Sequence, residues 1–216
     1  MSNKPTLLVN LSNNRGVMMK ANSIQTMRTK NFLKKAFIEM VHKKGFSAVT
    51  VKDIVDQAQY NRTTFYVYYQ NINDLVEELM EEMFEAIQYY SINKYQIESR
   101  VEVKQLTINS FELLYYIYDN RDYFKLMLLE DTLPYIHQQL PEAIFNVLKS
   151  KFDIQYGVSI VDDDSQKRYM AYGTAGLIMD WIAKDFDVSP SEMTERLIKI
   201  LNTFAKGFII KEIENS

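Results

Sequence analysis

Apolar residues recur at helical spacing near the start of the chain. Residues 27–44 carry a stripe formed by Phe32, Leu33, Ala36, Phe37, Met40 and Val41, and this spacing predicts a helix. Gly45 follows, where the end of a helix favours a left-handed backbone. Thr50 then precedes a short helix predicted over residues 51–58. Asp53 places an acidic side chain in its first turn, which suits the helix dipole.

A second short helix is predicted after a tight turn. Gln59 and Tyr60 form the turn, and Asn61 or Arg62 begins the helix. A long helix follows residues 71–73. Two short helices joined by such a turn form a helix-turn-helix unit, whose second helix enters the major groove of DNA. The pattern therefore predicts a DNA-binding head at this end of the chain.

The remainder of the chain shows the same helical periodicity. A loop is predicted over residues 151–164, and helices are predicted near residues 101–118, 121–130, 132–150, 165–186 and 190–212. We therefore expect an all-α fold with a flexible N-terminus (1–22), a three-helix helix-turn-helix domain (23–72) and a C-terminal helical domain (73–216).

Charge is distributed unevenly between these parts. Residues 20–70 hold nine Lys and Arg residues against three acidic ones, although the whole chain has a net charge of −3. A basic head on an acidic body suggests that the head meets a polyanion, while chance clustering of solvated charge explains the balance equally well. Lys34, Lys35, Lys43 and Lys44 are expected to give nonspecific attraction to DNA.

Composition excludes several other classes of protein. There is no Cys for a thiolate nucleophile or a disulfide, which fits a reducing compartment. No apolar run reaches the length of a membrane span, so a cytoplasmic protein is expected. The two histidines, His42 and His137, lie in different predicted domains, and no Gly-rich phosphate loop or metal-spaced cluster is present. We therefore expect neither an enzyme nor a cofactor.

The stretch TVKDIVDQAQYNRTTFYVYYQNINDLVEELM, from Thr50 to Met80, carries a recognisable motif. It resembles the DNA-binding signature of the TetR family of regulators, through Thr50, Ile54, Ala58, Thr64, Phe65, Tyr66, Tyr69 and Leu75. The second half resembles the C-terminal domain common among such proteins in low-GC Gram-positive bacteria. The resemblance implies a dimeric repressor on a palindromic operator, with a small molecule in the C-terminal domain changing its affinity for DNA.

Eight residues are the candidates for DNA contact: Thr50, Lys52, Asn61, Arg62, Thr63, Thr64, Tyr66 and Tyr68. Arg62 begins the recognition helix, and an Arg side chain reads guanine through two hydrogen bonds to O6 and N7. The alternative role of Arg62 is a phosphate contact or a plain surface charge. Thr64 and Tyr66 match positions that contact phosphate or sugar in the family.

Three positions depart from the family pattern. Gln59 stands where Gly usually begins the turn, Ile72 replaces a Lys that contacts phosphate, and Val55 replaces an Ala at the helix crossing. The first two departures fit an alternative function, in which the chain regulates through a protein partner and its head binds DNA weakly or not at all.

The C-terminal domain contains candidates for two further surfaces. The resemblance implies that the last two helices pair with those of a second copy, at an interface of Gly173, Gly176, Leu177, Trp181, Leu197, Leu201 and Phe204. Aromatic and Met side chains suit an adaptable apolar pocket for a small apolar or aromatic ligand. The candidates for its lining are Tyr89, Phe111, Tyr115, Tyr118, Phe124 and Met127. Plain burial within one subunit is the alternative for both sets.

Overall fold

The computed structural model describes residues 21–157 and 161–211, so nearly all of the predicted flexible N-terminus (1–22) lies outside the described residues. The chain divides into two compact units. Unit 1 comprises Met1–Ala86 and Asp119–Ile136, and unit 2 comprises Ile87–Tyr118 and His137–Ser216. The domain boundaries expected at residues 22 and 72 stay a prediction.

Helices dominate both units, as predicted. In chain order they are α1 (Ala21–Lys44), α2 (Val51–Ala58), α3 (Arg62–Tyr68), α4 (Ile72–Ile92), α5 (Leu113–Asp119), α6 (Arg121–Phe124), α7 (Ile136–Lys151), α8 (Asp163–Ala183) and α9 (Pro190–Phe204). Short 3-10 helices cover Phe46–Ala48, Val103–Gln105 and Lys125–Leu128. Within the described ranges, none of the helices has the length and apolar character that crossing a membrane requires.

The predicted start of α2 is confirmed in detail. The Thr50 side chain accepts a hydrogen bond from the Asp53 backbone N–H, and the Asp53 carboxylate accepts one from the Thr50 backbone N–H. This reciprocal capping box satisfies two donors that a helix start otherwise leaves unpaired. Hydrogen bonds from Lys44, then from the Thr50 hydroxyl, hold the pKa of the Asp53 carboxyl well below its usual range.

The turn before α2 requires a glycine. Gly45 has φ 80° and ψ 156°, a conformation that is essentially restricted to Gly. A Cβ at this position would also overlap the Asp131 carboxylate. That carboxylate accepts hydrogen bonds from the Ser47 N–H at 3.1 Å and from the Ser47 hydroxyl at 2.6 Å. The turn that leads into the helix-turn-helix is therefore fastened to the segment after α6, within unit 1.

Unit 2 contains a feature that the helical pattern did not predict, a three-stranded antiparallel sheet. Its strands are β1 (Arg100–Glu102), β2 (Phe152–Tyr156) and β3 (Ala205–Ile210), with β3 in the centre. Gly207 lies where β1 and β3 approach closely, since a Cβ there would be 2.6 Å from the Val101 carbonyl oxygen.

The strands correct three sequence predictions. The helix expected over 101–118 begins only at residue 113, the helix expected over 190–212 ends at residue 204, and the loop expected over 151–164 contains β2. Residue 212 itself lies outside the described residues. In β2 the buried Phe152 and Ile154 alternate with the exposed Asp153, which is the period of a strand with one face in the core.

Candidate nucleic-acid interface and sites of unit 2

Helix α3 carries five of the eight residues predicted to contact DNA, and three of these five are exposed. Arg62, Thr63 and Tyr66 are exposed, whereas Thr64 and Tyr68 are half-buried. The opposite side of the helix is held by Phe65 and Tyr69, which are buried with ring centroids 5.5 Å apart. The helix therefore has one face anchored in unit 1 and one face available to a groove.

Two of the predicted contact residues also cap helices. Asn61 is the N-cap of α3, and its Oδ1 accepts hydrogen bonds from the Thr64 N–H at 2.8 Å and the Thr64 hydroxyl at 3.0 Å. Asn61 can therefore offer DNA only its Nδ2 donors. The Thr50 hydroxyl donates to Asp53, so this residue is primarily the cap of α2. Lys52 is exposed on the same helix.

Many of the basic side chains of the head form salt bridges with acidic side chains. Lys30 and Lys34 bind Glu78, Lys44 binds Asp53 at 2.6 Å, and Lys35 lies 4.0 Å from Glu39. Four basic residues of the described part of the head form no salt bridge to a described residue: Arg28, Lys43, Lys52 and Arg62. Their positive charge is therefore not paired with an acidic side chain of the described residues.

Lys34 has a different place from the one expected. Its side chain is 0% exposed and binds Glu78 and, at 2.7 Å, Glu82, so it cannot supply surface attraction to DNA. Burial raises the pKa of Glu82, and the charge and hydrogen bond of Lys34 only partly offset it. The hydroxyl of Tyr69, directly after α3, donates to a Glu78 carboxylate oxygen at 3.4 Å. A partly buried charged network, with Lys34 at its centre, thus joins α1, α4 and the end of the recognition helix.

The turn between α2 and α3 keeps its shape although it lacks the usual Gly. Gln59 adopts the left-handed conformation with φ 60° and ψ 38°, and it is the C-cap of α2. The backbone N–H of Tyr60 donates to the Val55 carbonyl at 2.8 Å, closing the turn. The departure at Gln59 therefore strains the backbone without rerouting it. Ile72 is the first residue of α4 and is half-buried.

Substitution of Gln59 by Gly is expected to raise the free energy of unfolding by about 1 kcal/mol, because a side chain in left-handed backbone costs about that much. Gln57 is the matched control, since it lies in the right-handed body of α2. There, Gln57→Gly should lower the free energy of unfolding by about 1 kcal/mol through helix propensity, and further through loss of the 2.6 Å hydrogen bond to the Glu39 carboxylate. Urea unfolding of the three proteins gives both values, and a destabilised Gln59→Gly protein would argue against strain at the turn.

Val67 is the residue of this face that sequence reasoning missed. Its side chain is 69% exposed on α3, one helical turn after Thr63. In the sequence it lies among four Tyr and Phe residues, where a Val is typical of a buried position. Only the burial of Phe65 and Tyr69 shows which side of this short helix faces outward.

The predicted dimer residues divide into three groups. Gly173, Gly176, Leu177 and Phe204 are exposed on α8 and α9. Trp181 is only 2% exposed and donates from its indole N–H to the Val188 carbonyl at 2.9 Å, because it anchors the turn after α8. Leu197 and Leu201 are half-buried and line a cavity inside unit 2. Those three residues therefore serve the interior of the unit.

Several large apolar side chains are exposed on α8 and α9. Tyr169 is 70% exposed, and its ring lies 6.3 Å from that of Phe204. Tyr172, Leu177 and Ile200 are also exposed. A Cβ added at Gly173 or Gly176 would meet no atom within 4 Å, so open space lies over both glycines. We call these residues of α8 and α9 the apolar face.

The residues predicted to line a ligand pocket lie in different parts of the structure. Of the candidates, only Phe111 lines the cavity of unit 2. Phe124 and Met127 are buried in unit 1, and Tyr89 and Tyr118 are partly exposed. Tyr118 stacks on Trp181 with centroids 6.3 Å apart. Aromatic side chains at helical spacing were therefore mainly core or surface, and Tyr115 is half-buried outside the cavity lining.

A capped α2, a left-handed turn and an exposed α3 on a buried base define a helix-turn-helix unit, a module with which regulators bind DNA. The model of the bacterial regulatory proteins of the tetR family matches residues 35–79, and a model of the transcriptional regulator C-terminal region matches residues 105–203. The chain belongs to the TetR family of transcriptional regulators. Proteins of this family are regulators and not enzymes, in agreement with the expectation from composition.

Individual relatives are distant. The HTH-type transcriptional regulator YxbF of Bacillus subtilis (strain 168), described as uncharacterized, is 18% identical over 170 residues, which are 79% of this chain and 44% of the relative. The chain thus spans less than half of that relative's length.

Two solved structures share the fold, each with a TM-score of 0.56. A TetR transcriptional regulator from Streptococcus agalactiae 2603V is 18% identical, with 83% of this chain and 97% of the other covered. The dihydroxyacetone kinase operon activator DhaS is 20% identical, with coverage of 81% and 94%.

Proposed function

We propose that this chain represses transcription as a homodimer that binds a palindromic operator through α3. The observation that carries the proposal is the two-sided recognition helix, with Phe65 and Tyr69 buried and Arg62, Thr63, Tyr66 and Val67 exposed. Arg62 reads a guanine, Thr63 and Asn61 contact neighbouring base edges, and Tyr66 and Lys52 contact the backbone. Half-buried Thr64 and Tyr68 support the helix and reach only the sugar-phosphate edge.

Dimerisation follows from the size of the head and from the apolar face. A single small DNA-binding module buries only about 600–1,000 Å² of surface, so specific binding usually needs two heads on a two-fold site. The apolar face provides exposed Tyr169, Leu177 and Phe204, with Gly173 and Gly176 leaving room for a close helix. Large apolar side chains exposed together on two helices are typical of an interaction site. We propose that a second copy covers it.

Ligand control is the third part of the proposal. The cavity of unit 2 offers an apolar site, and a molecule bound there shifts the protein between two conformations when it binds one of them more tightly. By linkage, DNA then changes the affinity for the molecule by the same factor. A repressor is released from DNA when the molecule prefers the conformation that does not fit the operator.

The experiment for the proposed function is selection of bound sequences from a random DNA library by the purified full-length protein. The expected result is a short palindrome, whose two halves are separated by about one helical turn or a multiple of it. Enrichment of no sequence at low salt would contradict the proposal. It would favour the alternative of a regulator that acts through a protein partner. The left-handed turn that Gln59 still forms argues against this alternative.

We further propose that Val67 recognises the methyl group of a thymine. An apolar side chain exposed on a recognition helix has a natural partner in the thymine C5-methyl, which lies in the major groove. Replacing that thymine by uracil removes one methyl and should weaken binding about four-fold per half-site, the equivalent of ~0.8 kcal/mol for one buried methyl.

The control for this prediction is the Val67→Ala protein on the same two DNAs, measured by fluorescence anisotropy. The truncated side chain no longer reaches the methyl, so this protein should bind the thymine and uracil operators with nearly equal affinity. If both proteins lose the same affinity at every thymine, Val67 does not read that base.

A further inference from the structure

The cavity of unit 2 is small and has an apolar wall. Its volume is about 140 Å³. Side chains from α5, α7, α8, α9 and the sheet contribute to the wall, among them Leu113, Ile144, Ile178, Leu197 and Phe208. An apolar cavity of about 150 Å³ stays dry in other proteins and binds benzene. A molecule that fits within this volume is about the size of one substituted aromatic ring.

The polar atoms of the cavity wall further restrict the class of ligand that can bind. No charged side chain lines the cavity, and its polar side chains are the hydroxyls of Ser91, Thr174 and Thr194. The Ser91 hydroxyl donates to the Ile87 carbonyl at 2.7 Å, and the Thr194 hydroxyl donates to the Pro190 carbonyl at 2.7 Å. Both hydroxyl protons are donated to backbone carbonyls. The two oxygens can therefore only accept hydrogen bonds from a ligand.

We propose that this cavity binds a neutral, largely apolar molecule of the size of a substituted benzene ring. A charged group is excluded because it would lie in an apolar site without a counter-ion. A hydroxyl or N–H on the ring finds an acceptor at Ser91 or Thr194. The regulatory meaning of this site rests on the proposed function, although binding itself does not.

The test is titration of the full-length protein with three probes of similar size: toluene, phenol and benzoate. Toluene and phenol should bind saturably at one molecule per chain in calorimetry. Each should raise the unfolding temperature by about 3–6 °C at ten times its dissociation constant. Phenol should bind at least as tightly as toluene, and benzoate should give no shift. No saturable binding of toluene or phenol, or equally tight binding of benzoate, would overturn the proposal.

Variants locate the binding to this cavity. Leu148→Trp places a larger ring at the wall and should abolish toluene binding, whereas Asn146→Trp on the exposed side of the same helix should not. Val147→Ala enlarges the cavity and should shift the preference from toluene towards propylbenzene, which tests the site even if the larger Trp prevents folding. A folded Leu148→Trp protein that binds toluene normally, or a Val147→Ala protein with unchanged preference, would place the site elsewhere.

Failure of this proposal and failure of the proposed function give different results. If toluene binds the cavity but leaves the affinity for the selected operator unchanged, ligand control is wrong and the site stands. If no probe binds while the palindrome is selected, the site is wrong and DNA binding stands.

Discussion

The Gly176→Arg protein is expected to be monomeric and to lose nearly all affinity for the operator, while its subunit remains folded. Gly176 is exposed on α8, and an added Cβ meets no atom within 4 Å. Inside a helix, replacing Gly should even stabilise the subunit by up to about 1 kcal/mol. At the proposed interface, however, the new side chain fills the space that the second copy occupies. Because each subunit contributes one Arg, two charges without counter-ions are also buried there.

Analytical ultracentrifugation measures the association, and thermal unfolding reports on the subunit. The matched control is Gly176→Ala, which adds only the Cβ and should weaken dimerisation much less than Arg does. A Gly176→Arg protein that remains a dimer and binds the operator with normal affinity would exclude this part of α8 from the interface. A monomeric protein that binds the palindrome as tightly as the unmodified dimer would separate dimerisation from DNA binding.

The second large effect is expected for Arg62→Ala. Arg62 is exposed at the start of α3 and forms no salt bridge to a described residue, so its fork is available to a base. Loss of two hydrogen bonds to guanine should cost about 1–3 kcal/mol per half-site and should relax the preference for that base. Arg62→Lys keeps the positive charge but loses the planar guanidinium group that forms two hydrogen bonds to guanine. Compared with Arg62→Ala, it should therefore recover affinity for DNA more than preference for that base.

Lys52→Ala is the contrasting variant, because Lys52 is an exposed candidate for a phosphate contact. It should weaken binding to all sequences alike and reduce the salt dependence by about one unit of slope per lost contact. Affinities are measured for the selected operator and for operators changed at single base pairs. If Arg62→Ala behaves in the same way as Lys52→Ala, with unchanged base preference, Arg62 contacts phosphate and reads no base.

The head was largely predictable because its signals are local. The helix α1, the positive φ of Gly45 and the start of α2 at Thr50 each depend on residues within a few positions, and each is confirmed. One member of the predicted stripe, Phe32, is 55% exposed. The burial of Lys34 was not predictable, since its partners Glu78 and Glu82 lie more than forty residues away in the chain. Charge counting treats such a buried cation as surface charge.

Unit 2 was less predictable because its structure depends on distant pairs. Phe208 reads as a continuation of the apolar stripe of α9, yet it pairs with Val101 on one side and Ile154 on the other. Short strands of three to six residues carry too little periodicity to compete with a neighbouring helix. Aromatic residues likewise cannot be assigned to core, surface or cavity from spacing alone, as Tyr118 and Phe124 illustrate.

The measurement that most directly tests the central account is a salt titration of the full-length protein on its selected palindrome, with the number of bound chains determined in the same samples. We expect two chains per site and a logarithm of affinity that falls linearly and steeply as the logarithm of salt concentration rises, because both heads displace counterions from phosphates. A single chain per site, or an affinity that salt leaves unchanged, would contradict a dimeric regulator that holds DNA through α3.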